Sequence, residues 1–154
     1  MRILLALLLS FWSVAVTAET VTPRDGWVVM QSHKAFDVLL DDLKAAVRAN
    51  KMGVVTQAGP TGAAANRGIT IPNNRVIGVF NNVFAVRILG LSPAAMIEAP
   101  IRFYLTEDDA GHTTLSYKTP TFVFSPYVTE AGDDLTAASA ELDAIFLAIA
   151  TTAR

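Results

Sequence analysis

The chain of 154 residues contains no cysteine and only two histidines, His33 and His112. Without thiols there are no disulfides, no thiolate nucleophile and no sulfur-ligated metal. Two imidazoles far apart in sequence do not form a ligand set by spacing, and no His-x-x-x-His pair, calcium loop or phosphate loop occurs. No strained Gly-x-Ser-x-Gly elbow is present, and the spacing of Gly59, Gly62 and Gly68 does not match a dinucleotide-binding turn. Charge of one sign is lacking as well: 12 basic side chains face 14 acidic ones, with no basic run, which argues against nucleic acid as a partner. No cofactor is expected from these residues.

Apolar residues are abundant, 52 % of the chain. The first block of them is N-terminal. Met1-Arg2 supplies a minimal positive end, residues 3–18 carry no charge, and Val16-Thr17-Ala18 places compact side chains where a signal peptidase cuts. Sixteen uncharged residues fall short of the roughly 20 that a membrane-spanning helix needs. Residues 1–18 are therefore expected to be a cleavable signal peptide, cut after Ala18. Residues 19–154 are expected to form a single domain, periplasmic or secreted, with no stable membrane anchor. Lacking disulfides, that domain must hold itself together by its core.

Periodicity outlines the domain. Residues 26–31 read as a first strand. Ser32 is expected to cap a helix in which Phe36, Leu39, Leu40, Leu43 and Val47 share one face, with His33 in its first turn. Val54-Val55-Thr56 reads as a second strand and 63–67 as one or two helical turns closed by Gly68. Residues 75–80 read as a buried strand, in which Gly78 predicts close approach of another group. Residues 83–89, apolar but for Arg87, are expected to form a short buried helix, and Ser92-Pro93 to start a second one. In residues 100–105, Ile101, Phe103 and Leu105 alternate with Arg102 and Tyr104. A hairpin at Asp108–Gly111 returns the chain through 112–118. Residues 121–127 look irregular, and a helix runs from Leu135 onward. The fold class is α+β: a mostly antiparallel sheet of four to five strands with two amphipathic helices packed on one face.

With these segments placed, Phe80-Asn81-Asn82-Val83 after the central strand, Ala99-Pro100-Ile101 before the next, and Ser116-Tyr117-Lys118-Thr119-Pro120 after the hairpin form a pattern. It resembles the domain-of-unknown-function 302 family across nearly all of residues 19–154. The family's usual Ile-Asp-His string is replaced here by Gln57-Ala58-Gly59-Pro60, so a role resting on that histidine does not carry over. The resemblance implies a small α+β domain that forms dimers, and assigns no chemistry.

Candidate site residues come from the polar members of apolar segments. Arg87 must be paired if buried, and Glu98 is the partner expected from the sequence. Arg102 and Tyr104 share a strand face, which would form a pocket for an anionic ligand if no helix covers it. Asn81 and Asn82 join this ligand-binding set. Either Tyr117 or Lys118, on opposite faces of the returning strand, would extend it. Phe84, Phe122, Phe124 and Tyr127 form the candidate interface of a homodimer or of an apolar pocket wall. The leading expectation is a non-enzymatic module that binds a small ligand or an envelope protein as a homodimer. The alternatives are an enzyme using the Arg/Glu/Tyr patch, and an envelope stress or metal-handling accessory.

Overall fold

The computed structural model describes residues 21–154. The signal-peptide assignment, residues 1–18, lies outside them. Five strands form one sheet: β1 (Trp27–Ser32), β2 (Gly53–Ala58), β3 (Asn74–Phe80), β4 (Ile101–Glu107) and β5 (Thr113–Lys118), in the order β1-β5-β4-β3-β2. Every neighbouring pair is antiparallel. The helices are α1 (Phe36–Ala49), α2 (Thr61–Ala65), α3 (Asn82–Leu91), α4 (Pro120–Phe124) and α5 (Val128–Ala153), with 3-10 turns at Ala94–Glu98 and Ser125–Tyr127. The domain is thus α+β, with a five-stranded antiparallel sheet.

Side-chain alternation divides the sheet into two faces. Ile77 and Val79 of β3, Ile101, Phe103 and Leu105 of β4, and Leu115 and Tyr117 of β5 point the same way and are buried. Against them pack the apolar stripe of α1 (Phe36, Leu39, Leu40, Leu43, Val47) and that of α5 (Leu135, Leu142, Phe146, Ile149). Three rings lock the centre. Phe103 stacks on Phe146 at 4.8 Å and meets Tyr117 edge-on at 5.1 Å, geometries that the ring quadrupole favours. The segment 120–153 is apolar and long enough to cross a membrane by length and composition, yet its buried side chains are committed to this core.

Several local expectations give way to tertiary context. Ser32 ends β1 rather than capping α1: its hydroxyl accepts only the Lys34 N–H, Ala35 is the residue before the helix, and His33 lies in the connection. Residues 121–127 are helical, not irregular. Thr119 Oγ1 accepts the Phe122 N–H and Pro120 occupies the first helical position, where its missing donor is harmless. The C-terminal helix begins at Val128, seven residues before Leu135, and is kinked at Gly132, whose φ of 69° breaks the helical path. The largest correction is α3. It is not buried: only Ile88 is fully enclosed, while Val83, Val86 and Leu89 face out, Val83 being 76 % exposed. An apolar composition shows that a helix resists water but does not supply a partner to bury it. Gly78 behaves as expected. A Cβ there would lie 2.1 Å from Thr56 Oγ1 and 2.8 Å from Pro100 Cγ, so Pro100 sits directly on the strand.

Candidate functional site

The face of the sheet opposite α1 and α5 carries Arg102, Tyr104 and Thr106 from β4, Gly78 and Val76 from β3, and Ser116 and Lys118 from β5. Strand alternation puts them there because their neighbours Ile101, Phe103, Leu105 and Tyr117 are drawn into the core. This decides between the two candidates on β5: Lys118 stands with Arg102 and Tyr104, whereas Tyr117 is inside, its phenol pushed up to about 12 by burial and then by the charge of Asp143.

A concavity of about 480 Å³ opens on this face, lined by Trp27, Val76, Glu98, Arg102, Tyr104, Lys118 and Val123 together with the edges of Ile101 and Tyr117. Trp27 is the residue next to Lys118 across the β1–β5 pair. Its ring is approached by the Lys118 ammonium at 5.7 Å and the Arg24 guanidinium at 5.1 Å, both within cation–π reach. Arg102 is exposed and makes no hydrogen bond or ion pair among the described residues, and neither does the Tyr104 hydroxyl. The one carboxylate in the lining is Glu98. It accepts a hydrogen bond from the Tyr127 hydroxyl at 2.8 Å, and that bond raises the Tyr127 pKa. The concavity is therefore cationic over an aromatic and aliphatic floor.

The remaining candidates separate. Arg87 does not meet Glu98. It pairs with Glu141 of α5 at 2.9 Å, on the surface, because α3 turns that side of itself toward α5. Asn81 is consumed structurally: its Oδ1 accepts the N–H groups of Val83 and Phe84, and its Nδ2 donates to the Lys51 carbonyl. It caps α3 and ties it to the turn before β2. Asn82 is exposed at the start of that helix, away from the concavity lining. Of the aromatic candidates, Phe124 is core and offers no surface. Phe84 is half-buried against the core, Tyr127 half-buried on Glu98, and Phe122 exposed beside Gly26. The most exposed large apolar side chains among the described residues are instead Ile97, Val83 and Val86, the last two on α3 and the first in the following 3-10 turn. Trp27 and Val76 were not singled out from sequence. The alternation of Val28 and Met30 toward the core was the signal that Trp27 faces the other way.

Among the described residues no three His, Asp or Glu side chains are close enough to hold a metal ion. His112 instead pairs with Asp108, Nδ1 to Oδ2 at 3.0 Å, at the β4–β5 turn.

No curated protein matches this chain. A solved structure, the uncharacterized conserved protein DUF302 from Bacillus stearothermophilus, superposes with a TM-score of 0.75 at 15 % identity, covering 85 % of this chain and 100 % of that one. At that identity the likeness is one of fold. The family profile described as "Domain of unknown function DUF302" matches residues 28–149, from the first strand into the last turns of α5. By that match, and with the strand order and helix placement above, the chain belongs to the DUF302 family.

Proposed function

We propose that this DUF302 domain is an exported, non-catalytic module that binds a small anionic ligand on the open sheet face. The observation that carries the reading is the pair of cations without a carboxylate partner among the described residues, Arg102 and Lys118, converging on a concavity of about 480 Å³ floored by Trp27, Tyr104 and Val76. Guanidinium and ammonium groups that no carboxylate neutralises are the recognition elements for carboxylate or phosphate, and the apolar floor holds the remainder of a ligand. Export rests on the N-terminal sequence. A cut after Ala18 leaves Val21, which is buried in the domain, with the folded part. Native mass spectrometry of the protein purified from its own cell envelope tests both points. The expected species begins at Glu19 and retains an anionic ligand that Arg102→Ala material lacks. Retention of the same ligand by Arg102→Ala protein would overturn the site.

The second element of the reading is a homodimer formed through α3. Its support is the cluster Val83, Val86 and Ile97, of which Ile97 is 80 % exposed. Light scattering of the mature protein is expected to give twice the chain mass, and Val86→Asp to halve it. A monomer at high micromolar concentration would remove the dimer and leave the ligand site untouched.

A further inference from the structure

We infer that the open face takes an elongated zwitterion, a short extended peptide with both termini free, rather than a compact anion. This deepens the anion-binding reading of the same face and rests on it. The Tyr104 ring borders two concavities, the larger one holding Arg102 and Lys118, and a second of about 220 Å³ lined by Asn73, Asn74, Thr106 and Glu107. The two lie in line. Arg102, Tyr104 and Thr106 point to one side of β4, and their partners on β3 are Gly78, Val76 and Asn74 in the same sequence. Taken together as one trough, the two concavities run along the strands with Tyr104 at the middle.

Its length follows from strand geometry. Arg102 and Thr106 are four residues apart, about 13 Å at the usual rise per residue, and an extended ligand peptide rises by the same amount, so about four residues fill it. Its ends differ in charge. Arg102 and Lys118 mark one end. At the other, Glu107 Oε2 accepts a hydrogen bond from Asn73 Nδ2 at 2.7 Å, and the Glu107 N–H donates to the Asn73 carbonyl at 2.9 Å. These two bonds fix the loop bearing Ile71 and Pro72 as a wall. They also leave the second carboxylate oxygen of Glu107 free to receive an ammonium. A compact anion would use only the cationic end. A chain with a carboxylate and an ammonium about 13 Å apart matches both ends.

Isothermal titration of the mature protein with four probes tests this: tetra-alanine, N-acetyl-tetra-alanine, tetra-alanine amide and dialanine. Tetra-alanine is expected to bind tightest, about three-fold better than its N-acetyl form, as an exposed ion pair allows. Dialanine, too short to bridge, is expected to bind no better than the N-acetyl form. Glu107→Gln should erase the preference for the free amine while leaving the N-acetyl affinity unchanged, which also shows that the variant is folded. Arg102→Ala should weaken tetra-alanine and the N-acetyl form alike. Equal binding of free and acetylated peptides, dialanine as tight as tetra-alanine, or no peptide binding by a protein that still retains an anion, would each overturn the zwitterion assignment alone. Binding of the amide as tightly as the free acid, or indifference to Arg102→Ala, would overturn the anion-binding reading beneath it.

Discussion

The two faces of this sheet are built from the same strands yet carry opposite chemistry. On β4, Ile101, Phe103 and Leu105 go into a core closed by α1 and α5, while Arg102, Tyr104 and Thr106, one residue out of phase, border two concavities on the other face. The same division separates two adjacent residues of β5. Tyr117 is held neutral among rings, and Lys118 stands free over Trp27. The covered face spends its side chains on packing, where each has many neighbours. The open face keeps the Arg102 guanidinium and the Tyr104 hydroxyl without hydrogen-bond partners among the described residues, and on the proposed reading these two groups meet the ligand. On the proposed reading, stability and binding fall on alternate residues, and substitutions on one face should leave the property of the other intact.

The largest expected effect breaks the covered face. Phe146→Ala removes the ring that stacks on Phe103 and should cost about 3–5 kcal/mol, measured by urea unfolding, since large-to-small changes add a cavity to the lost burial. Arg102→Ala sharpens the contrast from the other side. It should change stability by less than about 0.5 kcal/mol. It should also weaken a carboxylate ligand by roughly 1.5–3 kcal/mol, the worth of a hydrogen bond to a charged group, read by titration. A comparable loss of stability would show that the open face is structural. Asn81→Ala, which deletes the α3 cap, should cost about 1 kcal/mol with no change in ligand affinity. Affinity falling with it would return Asn81 to the site.

The smallest effects are in the pH dependence. Tyr117 has its folded pKa raised by burial, so its contribution to stability is complete below the unfolded value of about 10 and is lost as pH rises toward about 12. Tyr117→Phe should flatten that alkaline loss, followed by thermal melts between pH 9 and 12. Asp108 has the opposite sign. The His112 N–H, more than any other contact, holds its pKa below the usual carboxylate value, so its contribution is present above about pH 4 and disappears as pH falls through the lowered value. Asp108→Asn should narrow the gap in melting temperature between neutral and acid pH.

Much of this frame was legible in the residues. The three- and four-residue spacing of Phe36, Leu39, Leu40, Leu43 and Val47 marked α1 and its buried side, because a helix repeats every 3.6 residues whatever it packs on. The alternation from Ile101 to Leu105 marked both the strand and the split that creates the trough, and Gly78 marked the close approach now seen to be Thr56 and Pro100. Pairing across the sequence was not legible. Arg87 was expected on Glu98, eleven residues away, but meets Glu141 on another helix, while Glu98 is taken by Tyr127. Residues 121–127 look irregular in sequence, yet Thr119-Pro120 starts a helix there. The local signals of a cap were present, but the aromatic run after them masked the helix.

What the sequence by itself determined is which residues prefer to leave water, at what period, and hence the elements and the α+β class. What only the tertiary structure decided is which apolar surfaces find a partner. The helix α3 is as apolar as the core helices but is left half open, because no described element lies over Val83 and Val86. The tertiary structure likewise placed Trp27 and Lys118 beside Arg102, through the β1–β5 and β4–β5 registers. Periodicity is a property of a segment, but register and coverage arise from the whole chain's competition to bury surface, and so the site appears only once the sheet is assembled.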